Sequence, residues 1–166
     1  MPYQVNDFVV HPAHGVGHIV SLVMQRFFDP EARLYYEIVI ERNTVWVPVD
    51  TSVASGLRPV TPKSELARYR RVLRSQPASL AVDHRQRHQD LLNQLKAGLF
   101  QNACEVARDL TARRWLKPLN EWDSTTLRKT RDDLCREWAA ADGMSVPEAT
   151  KEIDALLLEG RQAHQV

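Results

Sequence analysis

The sequence predicts an α+β protein of two domains: a small N-terminal SH3/Tudor-like β-barrel, followed by a C-terminal all-α bundle of four to five short helices. Five short β-branched runs, joined by tight turns, fill roughly the first sixty residues. From Ser64 onward, apolar residues recur at helical spacing instead. The change at Thr61-Pro62-Lys63 divides the chain into domains 1–62 and 63–166, with a linker-like stretch near residues 75–79.

The first two strands form a hairpin with recognisable turn chemistry. Phe8–Val10 is the first strand, and Pro12 ends it because proline cannot donate to a ladder. Gly15 and Gly17 permit a positive φ or a bulge where the chain reverses, and the second strand runs from Val16 to Phe28. The remaining predicted strands are Leu34–Glu41, Thr44–Val49 and Gly56–Val60.

The helices are predicted from apolar spacing and from their caps. Asp83 and Ser145 are expected N-caps, because a glutamine or glutamate follows three residues later. Gly160 is expected to end the ordered chain, leaving a frayed tail. The predicted helices are Glu65–Leu73, one from the Asp83 cap to Gly98, Phe100–Arg114, Asp123–Ala141, and one from the Ser145 cap to Gly160.

Composition indicates an ordinary globular chain with an uneven charge. No apolar run approaches the roughly 18–20 residues of a membrane span, and no signal peptide is visible, so we expect a cytoplasmic protein without membrane association. Cys104 and Cys135 are then expected to be buried thiols. The net charge of +1 hides a segment, residues 63–137, that carries sixteen basic and ten acidic side chains. The basic side chains of this segment could contact phosphates, or they could simply lie on solvent-exposed helix faces without a binding role.

Motifs of catalysis are missing from the sequence. There is no phosphate-binding loop, nucleophile elbow or zinc-protease motif, so neither enzymatic activity nor a cofactor is expected. His84 and His88 lie one helical turn apart and could bind a metal together. Without a third ligand in view, a solvated His84 and a half-buried His88 are the simpler interpretation.

Two stretches carry a resemblance to a known family. The hairpin has the pattern D-x-V-V-x-P-x-H-G-x-G, from Asp7 to Gly17, and the later helical segment contains E-V-x-R-D-L, from Glu105 to Leu110. Together these resemble the CarD family of bacterial transcription regulators, which shares its N-terminal module with the RNA-polymerase-interacting domain of the transcription-repair coupling factor. The resemblance extends over nearly the whole chain and is to the short, stand-alone members.

The resemblance implies that the N-terminal barrel binds a lobe of the RNA polymerase β subunit through an exposed strand edge. Such an edge offers unpaired backbone groups to a partner. Trp46 is either an exposed contact or a core residue, and the sequence leaves both possibilities open. The matching positions are Arg26, Phe27, Thr44, Val45, Trp46 and Val47.

The resemblance also implies that the helical domain holds promoter DNA near the upstream edge of the transcription bubble, where a tryptophan wedges into the minor groove. His84 stands where that tryptophan is expected, which is a departure from the family pattern. Trp115 and Trp122 could substitute, although packing within the bundle is their simpler role. The expected DNA-binding residues are His84, Arg85, Arg87, Lys96, Arg113, Arg114, Lys117, Arg128 and Lys129.

The predicted function is therefore that of a non-enzymatic, monomeric regulator that stabilises the open promoter complex. One alternative is an adaptor that binds polymerase with little or no DNA binding. A second is a metal enzyme that uses His84 and His88. An exposed barrel edge could also pair with a second copy of the chain.

Overall fold

The computed structural model describes residues 1–165 and divides into two compact units, Met1–Val60 and Thr61–Val166. The first unit is an antiparallel sheet and the second contains five α-helices, so the predicted α+β class is confirmed. The strands are β1 (Phe8–His11), β2 (Gly15–Gln25), β3 (Arg33–Ile40), β4 (Asn43–Pro48) and β5 (Arg58–Pro59).

The sheet has the strand order β4-β3-β2-β1-β5, so its ladder is open and β4 and β5 form its two edges. The strand pairing therefore does not close the predicted barrel within the described residues. The register of β2 against β3 shifts between Ile19 and Ser21, which is a bulge that bends the long strand β2. A buried cluster that includes Tyr36 and Ile38 covers one side of the bent sheet.

The two glycines of the hairpin, Gly15 and Gly17, have different structural roles. Gly15 has a φ of 86°, as the turn requires. Gly17 has no positive φ; a Cβ there would lie 2.5 Å from Ile38 and 2.6 Å from Ile40. The expected conformational role of Gly17 is therefore wrong: it allows β2 to approach β3 closely, and the bulge lies further along the strand.

A 3₁₀ turn at Lys63–Glu65 leads into the helical unit. Asp83 and Ser145 cap their helices as predicted, each accepting a hydrogen bond from the backbone N–H three residues on. Gly143 ends the fourth helix at a φ of 69°. The helices are α1 (Leu66–Arg74), α2 (His84–Lys96), α3 (Phe100–Leu116), α4 (Glu121–Asp142) and α5 (Val146–His164).

The expected frayed tail after Gly160 is wrong. Helix α5 continues to His164, and Gly160 is buried inside it. A Cβ at Gly160 would lie 2.9 Å from the backbone oxygen of Arg74, so the glycine is needed where α5 crosses the end of α1. A helical glycine that resembles a stop signal is here a packing residue.

The core of the helical unit centres on Trp138, which is fully buried. Cys104 and Cys135 are both free, buried thiols, as predicted. Glu137 is also buried, and it accepts hydrogen bonds from the N–H and the hydroxyl of Thr61 at 3.0 and 2.7 Å. No helix among residues 1–165 is long and apolar enough to cross a membrane.

The stretch 75–79 lies inside the helical unit and is hydrogen-bonded to α3. Arg108 donates to the hydroxyl of Ser75 at 2.7 Å and to the carboxylate of Asp109 at 2.8 Å. The same carboxylate accepts from the N–H of Ala78 at 2.9 Å. Burial raises the pKa of Asp109, while the hydrogen bond from Arg108 opposes that rise. The R-D pair of the E-V-x-R-D-L motif therefore holds the segment that precedes α2.

Candidate functional sites

The first candidate site is the open edge formed by β4. Val49 donates its N–H to the carbonyl of Leu34. This bond shows which alternate residues of β4 form hydrogen bonds with β3. Since alternate residues of an antiparallel strand point their backbone groups in opposite directions, Thr44 and Trp46 direct theirs away from β3. Pro48 contributes a carbonyl but no N–H. The edge therefore presents two complete N–H and C=O pairs.

The side chain of Trp46 lies on the face opposite the buried cluster of the sheet, and it is 43% exposed. Its ring lies 5.4 Å from that of Phe27, which in turn packs edge-on against Tyr35 at 4.9 Å. The structure thus decides between the two possibilities that the sequence left open for Trp46, in favour of a surface position. An exposed aromatic pair beside an open strand edge is typical of a protein-binding surface.

The other predicted residues of this site differ in accessibility. Thr44 is exposed on the edge, and Arg26 is exposed just beyond the end of β2. Val47 is buried and Val45 is half-buried, and both pack in the cluster of the N-terminal unit. Those two valines can contribute to a partner only by holding the strand in place.

Arg87 is the one predicted DNA-binding residue that the structure places in the interior. Its Nε donates to Asp123 Oδ2 at 2.9 Å, and only 4% and 2% of the two side chains are exposed. Its Nη1 also donates to the carbonyls of Ala81 and Val82, at 3.0 and 3.1 Å. The guanidinium is committed to holding α2 against α4, so it is not available to a phosphate.

The exposed start of α2 lies beside an aromatic stack. His84 and Arg85 are exposed in the first turn. One turn later, half-buried His88 stacks on Trp122 of α4, with ring centroids 3.7 Å apart. Lys129 follows Trp122 on α4 at a spacing of seven residues, hence on the same side of that helix. We call His84, His88, Trp122 and Lys129 the stack face.

A different side of α4 carries a second basic group. Arg128 and Arg131 lie on that side, and together with Arg114 of α3 they line two adjoining recesses of about 280 and 360 Å³. Arg131 is paired with Asp154 of α5, whose hydrogen bond raises the pKa of Arg131. The other residues that line the recesses are Thr111, Trp115, Leu119, Ser124, Leu127, Leu157 and Leu158. We call these two recesses the arginine groove.

The rest of the predicted DNA set is scattered over the helical unit. Lys96 ends α2, roughly 18 Å along the helix axis from His84. Lys117 caps the end of α3, and Arg113 in its last turn is half-buried. Among residues 1–165, no group of three or more His, Cys, Asp or Glu side chains is arranged to hold a metal ion.

Sequence reasoning missed two features of these sites. The stack of His88 on Trp122 joins two helices, so no local pattern reveals it. The burial of Arg87 did leave a signal, because Arg87 precedes Leu91 by four residues and therefore lies on the apolar stripe of α2. A charged residue on such a stripe indicates a buried partner.

Comparison with known proteins gives matches along most of the chain. Residues 3–61 match the model of the CarD-like/TRCF RID domain, and residues 69–154 match that of the CarD C-terminal domain. A Bacillus subtilis (strain 168) protein named "Putative transcription factor YdeB" is 28% identical over 145 residues. That alignment covers 86% of this chain and 94% of the relative. The matches therefore extend over both units.

Proposed function

Because the chain belongs to the CarD family, whose N-terminal module interacts with RNA polymerase, we propose that Met1–Val60 binds the polymerase β subunit through the open edge of β4. One observation supports this best: Thr44 and Trp46 direct their backbone groups away from the sheet, beside the exposed rings of Trp46 and Phe27. A strand of the partner would pair with that edge, and the rings would supply apolar contact.

We further propose that the helical unit binds promoter DNA near the upstream edge of the bubble. The support is the exposure of His84, Arg85, Arg114, Arg128 and Lys129 in a chain segment with an excess of basic side chains. Arg87 is left out of this set because its charge is already neutralised inside the fold. Phosphate contacts by such residues would give strongly salt-dependent affinity.

The proposed mechanism is non-catalytic. A protein that contacts both polymerase and DNA with higher affinity in the open complex shifts the equilibrium toward that state. An imidazole at position 84 offers less apolar area than the indole implied by the family resemblance, so phosphate contacts would carry most of the effect. The quantity to measure is the lifetime of the open promoter complex, which should be longer in the presence of the 166-residue chain than in its absence.

The proposed binding of the β4 edge to polymerase is tested with the 166-residue chain and an isolated lobe of the polymerase β subunit. We expect Trp46→Ala to weaken binding by about 10- to 30-fold, which is the loss typical of a central aromatic contact. Thr44→Pro should also weaken it, because proline removes an N–H that points outward, at an edge that tolerates proline. Phe8→Ala is the matched control, being 54% exposed but on β1. Equal losses in all three variants would argue against the edge.

DNA binding is tested by titrating a fluorescent duplex at several salt concentrations. Arg85→Gln and Lys129→Gln should each reduce the slope of log affinity against log salt by about 1, as the loss of one phosphate contact does. Arg71→Gln is the control, because Arg71 is an exposed residue of α1 that is not among the proposed DNA-binding residues.

The adaptor alternative remains a second candidate, and the burial of Arg87 together with His84 at the expected tryptophan position favours it. It predicts that polymerase binding persists in a chain with no measurable, salt-dependent affinity for duplex DNA. The titration above therefore separates the two functions.

A further inference from the structure

Helix α2 has little apolar packing to hold it against the rest of the helical unit. Among its residues, all of which the structure describes, Leu91 is the one buried apolar side chain, and the other buried residue is Arg87. Each of the helices α1, α3, α4 and α5 contributes at least three side chains to the buried core cluster. Because burial of apolar surface is the main stabilising contribution to a core, we expect α2 to be the least firmly held of the five helices.

The contacts between α2 and α4 include a buried ion pair and a ring stack. Arg87 Nε donates to Asp123 Oδ2 at 2.9 Å, and the ring of His88 lies on that of Trp122. Burying two charges costs desolvation free energy, and this free energy is recovered when both groups return to water. The pair can therefore separate without leaving an unpaired buried charge, provided that α2 itself leaves its place on α4.

The segment before α2 is held by two different anchors. The R-D pair of α3 holds residues 75–78, whereas Arg87 of α2 itself donates to the carbonyls of residues 81–82. The chain can therefore bend between these anchors, at residues 79–80, without breaking either set of hydrogen bonds. At the other end of α2, Gly98 has a φ of 70° and tolerates changes of φ that other residues do not. Residues 79–80 and Gly98 are thus suited to act as hinges.

We propose that residues 81–98, which we call the α2 arm, open away from α3 and α4 while the other four helices stay folded. The ion pair between α2 and α4 is the latch that holds the arm closed. An isolated helix of thirteen residues is marginally stable in water, so α2 loses its helical hydrogen bonds while the arm is open. Opening also divides the stack face, because two of its four residues lie on α2 and two on α4. The opening does not rest on the proposed function.

The test is native-state amide hydrogen exchange of the 166-residue chain, followed by nuclear magnetic resonance at increasing, sub-denaturing urea concentrations. The amide of Leu91 reports the α2 arm, and those of Leu110 and Leu134 report the core of α3 and α4. Leu91 should exchange at least about 10-fold faster than the other two, and with a weaker dependence on urea, because a local opening exposes less surface than global unfolding. One common rate and urea dependence for all three amides would overturn the proposal.

A variant outside the α2 arm tests whether the arm opens separately. Gly160→Ala disturbs the packing of α5 on α1, which stays in place whether the arm is open or closed. It should therefore accelerate exchange at Leu110 about 10-fold, through easier global unfolding, and leave the exchange of Leu91 unchanged. Equal acceleration at the two amides would mean that α2 is released only when the whole helical unit unfolds, and would overturn the proposal.

A second pair of variants tests the latch. Asp123→Ala should accelerate exchange at Leu91 about 100-fold, because Arg87 is then buried without its partner as long as the arm is closed. Asp90→Ala is the matched control: it removes an exposed carboxylate of α2 outside the latch and should leave the exchange of Leu91 unchanged. No acceleration in Asp123→Ala, or the same acceleration in Asp90→Ala, would overturn the assignment of the ion pair as the latch.

Discussion

Replacing Asp123 by alanine tests whether Arg87 is a structural residue. The change removes one partner of a buried ion pair, and Arg87 stays charged because a guanidinium does not lose its proton in a protein. Breaking a buried pair in this way costs about 3–5 kcal/mol of unfolding free energy. We expect about 3 kcal/mol, because Arg87 Nη1 keeps its hydrogen bonds to the carbonyls of Ala81 and Val82.

The assay is urea unfolding followed by far-ultraviolet circular dichroism, which reports the helices. Two controls isolate the buried charge. Asp90→Ala removes an exposed carboxylate of α2 and should change stability by less than about 0.5 kcal/mol. The double variant Arg87→Met with Asp123→Leu removes both charges and should recover most of the loss. The backbone N–H of Asp123, which Asn120 caps, is unaffected by any of these changes.

Two results would refute the reasoning. A loss below about 1 kcal/mol for Asp123→Ala would mean that Arg87 reaches solvent, where an ion pair contributes little. Loss of DNA affinity in Arg87→Met with no loss of stability would return Arg87 to the DNA-binding set. Either outcome would reverse the assignment of this residue.

Three further predictions concern the helical unit. Gly160→Ala should destabilise the protein by about 1–3 kcal/mol in urea unfolding, because the new methyl group meets the Arg74 backbone; a gain, as expected from helix propensity alone, would contradict the packing. Ser145→Ala should cost about 1 kcal/mol through loss of the α5 cap, whereas Ser145→Thr should cost only a few tenths; equal costs would exclude capping as the cause. Burial raises the pKa of the Cys104 thiol, so a thiol reagent at pH 7 should modify Cys104 only in unfolded protein, and mass spectrometry of native samples should find it unmodified.

Features that depend on local sequence were predictable. The caps at Asp83 and Ser145 follow from residues three positions apart, and the structure contains both. The turn at Gly15 is equally local. The open sheet was not predictable in this way, because closure depends on whether β4 and β5 pair, and those strands are separated in sequence.

The parts of the candidate sites that sequence reasoning left open or got wrong are set by neighbours distant in sequence. Whether Trp46 faces the core depends on the register of β4 against β3, in which Trp46 lies opposite Glu37. The sequence of β4 alone does not determine that register. Arg87 is buried because Asp123, thirty-six residues away, neutralises it. Gly160 lies within helix α5 because the close packing of α5 against α1 outweighs the weak helix propensity of glycine.

The crossing of α5 over α1 at Gly160 also bears on the order in which the chain folds during synthesis. Helix α1 is among the first parts of the helical unit to leave the ribosome, whereas α5, which packs against it, is the last. The sheet unit has all its strands within the first sixty residues and can fold as soon as they emerge. The nascent chain would then carry a folded N-terminal unit while α1 still exposes the apolar face that α5 later covers.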